Sequence, residues 1–343
     1  MLGRLLALTA LALGSTAIHA REFTDAGGRV VEIPDDIGVV LPAGPPAAVL
    51  VYTLAPHKLA GWVNEPSKSA QEFLTPEAAA LPAFGRLTGQ GGSANMEVVL
   101  QANPDVIIDV GTVNDTYIDL ANRVQEQTGI PYILIDGSFE KSGDTYRLLG
   151  DLLGASARAD LLATYADETL SQLTTTLDSV PAAQRPTVYY GRGDEGLETG
   201  LSGSINVEIL EAAGATNVAA AAGKGGLSEV SLEQILVWNP DIVVAARASF
   251  AKAALSNPDW AGIKAVADGA VYVAPALPFG WIDSPPSANR LIGVRWLQEL
   301  FYPEAVDIDL TAETKEFFNL FYGVDITDEQ VGKLLAGALP AVN

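Results

Sequence analysis

Two stretches decide the reading of this sequence. Residues 95–108 read NMEVVLQANPDVII, and residues 231–244, 136 positions later, read SLEQILVWNPDIVV. Glu97 aligns with Glu233, Leu100 with Leu236, and Asn103-Pro104-Asp105 with Asn239-Pro240-Asp241. The same physics is written in both copies. Asn95 or Ser231 offers a side chain that caps a helix N-terminus, and the acid two residues on sits in the first turn, where the helix dipole favours negative charge. Proline stops the short helix. A β-branched apolar run follows, as expected for a short strand in a sheet buried on both faces. Two such units imply two related lobes.

Working outward, the first half predicts strands over residues 48–53, 106–110 and 132–136, with helices over 56–61 and 117–128. The second half predicts strands over 187–190, 242–246 and 271–273, with a helix over 205–213. Strands that alternate with helices mean an α/β fold with largely parallel sheets. Between the halves, residues 143–177 place Leu148, Leu149, Leu152, Leu153, Leu161, Leu162, Tyr165, Leu170 and Leu173 at helical spacing. Gly150 and Gly154 are the points where this stretch can bend, and Pro181 and Pro186 end it. About 30 helical residues span about 45 Å, the length of a rigid strut. Residues 289–302 and 311–322 also read as helical.

The N-terminus reads MLGRLLALTALALGSTAIHA over residues 1–20. Arg4 precedes an apolar run, and small residues lead to Ala20, the order of a secretory signal with cleavage expected after Ala20. The apolar run is too short for a bilayer, which needs about 20 such residues. The sequence has no cysteine. Disulfides, thiolate metal sites, cysteine nucleophiles and a cysteine-borne lipid anchor are thereby excluded. Export without an anchor points to the periplasm. With 42 acids against 20 bases, the formal charge is −22, a surface that repels nucleic acid and anionic lipid.

With these features in place, the chain resembles the helical-backbone (class III) periplasmic substrate-binding proteins of ABC importers, those for ferric siderophores, haem and cobalamin. The repeat carries the resemblance, together with the long inter-lobe helix and three segments. These are residues 41–62 (LPAGPPAAVLVYTLAPHKLAGW), 260–273 (WAGIKAVADGAVYV) and 281–303 (WIDSPPSANRLIGVRWLQELFYP). The resemblance implies an α/β fold of two Rossmann-like lobes with mainly parallel sheets, bridged by one long α-helix, with cargo in the cleft between them. The divisions it implies are a signal over 1–20, an N-terminal lobe over 21–140, the inter-lobe helix over 141–182 and a C-terminal lobe over 183–343. It further implies docking on an ABC permease in the inner membrane through one acid per lobe, at positions matched by Glu97 and Glu233. The residues themselves leave a second role open, since both acids also stabilise a helix N-terminus. A monomer is the expected state.

Ligands of open α/β sheets bind outside the carboxyl ends of the strands. The expected binding residues are therefore Tyr190, Arg192, Arg247 and Trp281, at or just after strand candidates (Trp281 in the 278–281 stretch, Pro278-Phe279-Gly280-Trp281), together with Arg86 in the Gly-rich loop before the first repeat copy. Arginine gives permanently charged, bidentate donors for carboxylates, chelating oxygens or oxyanions, and Tyr190 and Trp281 have faces for stacking on flat cargo. Surface ion pairing is the alternative for each arginine, and core packing for Trp281. Residues 193–204 (GDEGLETGLSGS) read as a rim loop, in which Glu198 either meets cargo or holds the loop. The expected cargo is a metal chelate of the ferric siderophore, haem or corrinoid type; the alternative is an oxyanion such as molybdate or tungstate. A bare transition-metal site needs several histidines, and only His57 follows the signal. Neither a Gly-x-Ser-x-Gly elbow nor His-Glu-x-x-His is present, so the sequence offers no enzyme signature and calls for no cofactor.

Overall fold

The computed structural model describes residues 20–88 and 96–340; residues 1–19 of the expected signal and the Asn95 cap lie outside the described residues. β1 (Ala20–Thr24) and β2 (Val30–Pro34) form an antiparallel hairpin. β3 (Val40–Pro42), β4 (Val106–Gly111) and β5 (Tyr132–Asp136) form a parallel sheet in the order β3-β4-β5. In the second half come β6 (Thr187–Gly191), β7 (Glu198–Gly200), β8 (Thr216–Asn217), β9 (Leu227–Glu229), β10 (Ile242–Ala245) and β11 (Val271–Val273). Of these, β11-β10-β6-β8 make a second parallel sheet, and β7 pairs with β9 antiparallel. Each parallel sheet is buried on both faces. Val106, Ile108 and Val110 of β4 face one core while Ile107 faces another; in β10, Val244 and Val243 divide in the same way.

The helices that frame the cleft are α1 (Pro45–Leu54), α2 (Met96–Gln101), α3 (Asp115–Thr128), α4 (Ser142–Leu153), α5 (Ser156–Ser179), α6 (Leu232–Trp238) and α7 (Arg290–Phe301). The expected strand over 48–53 is wrong, because these residues lie inside α1. Every residue from Ala47 to Leu54 is buried, so this helix is apolar all round and carries no polar face to reveal its period. The first strand of the lobe is instead the three-residue β3. The helix expected over 56–61 is a single 3-10 turn, Pro56–Lys58, and the one over 205–213 is shortened to Glu208–Ala212.

The expected single strut over 143–177 is two helices. Gly154 takes a left-handed φ of 64° and turns the chain between α4 and α5. The two then pack against each other at Gly150, where a Cβ would stand 2.3 Å from that of Ala159. α5 alone, with 24 residues and thus about 36 Å of length, is the bridging helix. On its far side Gln298 of α7 donates to Thr176 Oγ1 at 2.7 Å.

The repeat folds as two copies of one device. Ser231 caps α6 in a reciprocal box with Gln234. Asn103 and Asn239 both adopt φ 45°, ending their helices in the left-handed region that asparagine tolerates. The aspartates that follow then tie down the first strand of each lobe. Asp105 Oδ2 accepts the backbone N–H of Gly38 at 2.7 Å and of Val39 at 2.8 Å. Asp241 Oδ2 accepts the Thr187 N–H at 3.0 Å and its hydroxyl at 2.7 Å.

Candidate functional site

The carboxyl ends of β4, β6 and β11 open on a cleft of about 740 Å³ between the two halves. One wall carries Pro45, Pro46, Trp62, Arg86, Thr88, Asp109 and Gly111-Thr112; the other carries Arg192, Glu198, Asn206, Leu227 and the 276–279 turn. Trp62 and Phe279, one from each wall, stand with ring centroids 5.7 Å apart at 46°. Trp62 is fixed by its Nε1–H, which donates to Ala78 O at 2.7 Å.

Arg192 is the most constrained charge in the cleft. It follows β6, and its backbone N–H donates to Glu198 O at 2.7 Å, which brings β7 alongside. Its Nη1 donates to Glu198 Oε1 at 2.6 Å. Its Nε lies 2.8 Å from Asp283 Oδ2, an ion pair without the alignment of a hydrogen bond. Asp283 is 2% exposed and accepts the Tyr190 hydroxyl at 2.5 Å. Burial raises the Asp283 carboxyl above its ordinary value, and the Arg192 charge only partly offsets this. Burial also acts against the Arg192 cation, but Asp283, Tyr190 and Glu198 outweigh it and hold the guanidinium above its ordinary value.

The structure therefore sorts the expected binding residues. Arg86 and Arg192 line the cleft. Tyr190 does not offer a stacking face, because it is 2% exposed and is committed beneath the site to Asp283. Arg247 is corrected to a surface residue: it is 61% exposed and pairs with Asp194 at 3.1 Å. Trp281 is corrected to core, with 0% exposure. Its backbone carbonyl is pressed so closely on α7 that a Cβ on Gly293 would meet it at 1.9 Å. Glu198 lines the cleft and holds Arg192 at its edge. Glu97 and Glu233 are exposed in the first turns of α2 and α6. Hydrogen bonds to its own N–H and to Ser231 hold Glu233 below the ordinary carboxylate value.

Three cleft-lining residues escaped the sequence reading. Asp109 had a visible signal, an acid inside the apolar run VIIDVG. Trp62 and Thr88 had none, because only the packing of loops brings them to the cleft, whereas Phe279 lies in the 278–281 stretch expected there after the strand at Tyr272. Among the described residues, no group of His, Cys, Asp or Glu could hold a metal ion, and no helix is long and apolar enough to cross a membrane.

Comparison with known proteins agrees with this architecture. The periplasmic binding protein family matches residues 61–277. Molybdate-binding protein MolA of Haemophilus influenzae is 27% identical over 343 residues, which cover 93% of this chain and 95% of that protein. An ABC transporter solute binding protein of Sulfurospirillum deleyianum superposes with a TM-score of 0.83 at 30% identity, over 92% of this chain and 99% of that one. The solved structure of MolA bound to molybdate gives a TM-score of 0.74 at 25% identity, over 90% of this chain and 99% of its own. These relatives are solute-binding transport proteins rather than enzymes. Two lobes of parallel sheet, one bridging helix, a cleft at the strand ends and a family match over more than half its length give one conclusion: the chain belongs to the periplasmic binding protein family, in the helical-backbone class that serves ABC importers as substrate-binding components.

Proposed function

We propose that the chain binds an oxyanion of the molybdate or tungstate kind in the inter-lobe cleft and delivers it to an ABC permease. The observation that carries this reading is the likeness to molybdate-binding MolA over nearly the whole of both chains. The site supports it through two arginines on opposing walls, with the side chains of Thr88, Thr112 and Asn206 between them. In this reading Glu97 and Glu233, one exposed acid in each copy of the repeat, are the docking points for the permease. Export by the signal over residues 1–20 would place the protein in the periplasm.

One observation favours a second reading, the metal chelate expected from the sequence. An ion with four oxygens displaces roughly four to five waters, on the order of 150 Å³ at about 30 Å³ each. The cleft holds about 740 Å³ and has the Trp62–Phe279 ring pair in its lining, which leaves room for a bulkier guest.

Calorimetric titration of the mature chain decides between the two. Molybdate, tungstate and sulfate would be compared with ferric hydroxamate, ferric catecholate, haem and cobalamin. Saturable heat from molybdate or tungstate, lost in Arg192→Ala and in Arg86→Ala, supports the oxyanion reading. Heat from a chelate alone overturns it. Charge reversal of Glu97 and Glu233 together should block uptake in cells while cargo affinity is unchanged; normal uptake removes the docking role.

A further inference from the structure

Asp109 stands inside β4 with 5% of its surface exposed, yet it lines the cleft. Its Oδ2 accepts the Tyr132 hydroxyl at 2.9 Å. Its Oδ1 faces the start of α1, 3.9 Å from where a Cβ on Gly44 would stand. Thr88, whose Cγ2 would lie 2.6 Å from that same point, also lines the cleft. Its hydroxyl is buried and acts on the Asp109 carboxyl. A helix N-terminus that opens on a cleft is ordinarily an anion seat, because its first N–H groups are free to donate. Here Pro45 and Pro46 fill the first two helical positions and bring no N–H. The seat keeps the positive end of the helix dipole but has few donors, and an acceptor faces it.

The opposite wall repeats this balance. Arg192 is already held by Glu198 and Asp283. In and beneath the cleft lining, two arginines, Arg86 and Arg192, stand with three acids, Asp109, Glu198 and the buried Asp283. A fully deprotonated dianion entering this cleft meets uncompensated negative charge at low dielectric, which is costly.

We propose that Asp109 is a ligand-contacting, specificity-determining residue that shares one proton with an oxygen of the bound ligand. The inference rests on the oxyanion reading above. A deprotonated oxyanion then binds together with one proton drawn from solvent, which bridges its oxygen and the Asp109 carboxyl. Oxyanions with basic oxygens, such as molybdate and tungstate, accept this arrangement; sulfate, the anion of a strong acid, does not. The other groups around Asp109 are Tyr132 on β5, Tyr117 on α3, Arg86 and Thr88 before α2, and Arg192 and Glu198 across the cleft. Arg29 lies behind Tyr132 and donates to its backbone carbonyl at 3.0 Å. Burial raises the Asp109 carboxyl above its ordinary value, although hydrogen bonds from Tyr132, Thr88 and the Val110 N–H oppose it, and this raising works in the same direction as the proposal.

The test is calorimetry of the mature chain with molybdate, in buffers of different ionisation enthalpy between pH 6 and pH 8. One proton should be taken up per ion bound, and affinity should fall about tenfold per pH unit. Sulfate should compete weakly. Asp109→Asn, a change that keeps shape and removes the titrating group, should abolish the uptake and flatten the pH dependence. Thr88→Val should weaken binding and leave the proton count at one. Binding by the unaltered protein with no proton uptake overturns the inference, with no variant needed. Uptake that persists in Asp109→Asn, or that disappears in Glu198→Gln instead, overturns it as well. If molybdate and tungstate give no heat while a ferric chelate does, the oxyanion reading falls by itself. The same buffer comparison with that chelate then decides the role of Asp109: uptake lost in Asp109→Asn upholds it, and proton-independent binding removes it. No binding by any of these ligands overturns both.

Discussion

The two lobes share their scaffold and differ in their walls. In both, a short helix ends on a left-handed asparagine, and the aspartate two residues on ties down the start of a strand: Asp105 holds Gly38 and Val39, and Asp241 holds Thr187. At the cleft the likeness stops. The N-terminal wall presents a helix start blocked by two prolines, with a buried carboxyl and a buried hydroxyl beside it. The C-terminal wall presents an arginine clamped between two carboxylates and backed by a buried tyrosine. A duplicated framework constrains where strands begin and end; the residues beyond the strand ends are free to diverge, and the ligand is met there.

This contrast can be broken most severely at Asp283. Asp283→Ala leaves Arg192 with one partner fewer and takes away the carboxylate that accepts the Tyr190 hydroxyl, at a cost of about 3 kcal/mol for removing one side of a buried pair; urea unfolding reads it. An unchanged midpoint would mean that the C-terminal wall is held without this network. Next come the two equivalent aspartates. Asp105→Ala and Asp241→Ala should each cost about 2 kcal/mol, since each loses two hydrogen bonds to a charged acceptor. Costs that differ strongly between the two would show that the lobes no longer share the device.

The N-terminal wall gives a subtler difference, which depends on pH. Because burial raises Asp109, the folded state favours its protonated form. The stability linked to this group is complete below the ordinary aspartate range and is lost as pH rises through its folded value. Asp109→Asn should therefore gain stability over the unaltered protein as pH rises through this window, with the gain levelling off once Asp109 is ionised. Paired thermal melts from pH 4 to pH 8 check this, and a gain that shrinks with rising pH would contradict it. The smallest effect is expected at Arg247→Ala. This exposed residue pairs with an equally exposed Asp194, so stability and cargo affinity should stay within about 0.5 kcal/mol. A loss of affinity there would return Arg247 to the site.

Much of the framework was legible because local chemistry dictates it. β5 and β11 fall on residues 132–136 and 271–273 as expected from their apolar runs, and the Ser231 cap follows from a serine three residues before a glutamine. The strut was read too long because apolar spacing continues across Gly154, and spacing does not show whether a glycine bends a helix or ends it. α1 was read as a strand because a helix buried on every side shows no periodicity.

By itself the sequence determined the α/β alternation, the two related lobes, the placing of Arg192 beyond a strand end and that of Arg86 in the loop before the first repeat copy. Repeats, caps and breakers act over a few residues and survive without knowledge of what packs against them. Tertiary structure decided the rest: that Tyr190 and Trp281 are sealed in the core, that Arg247 points to solvent, and that Asp109, Trp62 and Phe279 meet at the cleft. Whether a side chain ends in core, cleft or solvent depends on contacts between segments that are separate along the chain, such as Gly293 beneath Trp281 or Asp283 beneath Arg192. No local pattern encodes those contacts.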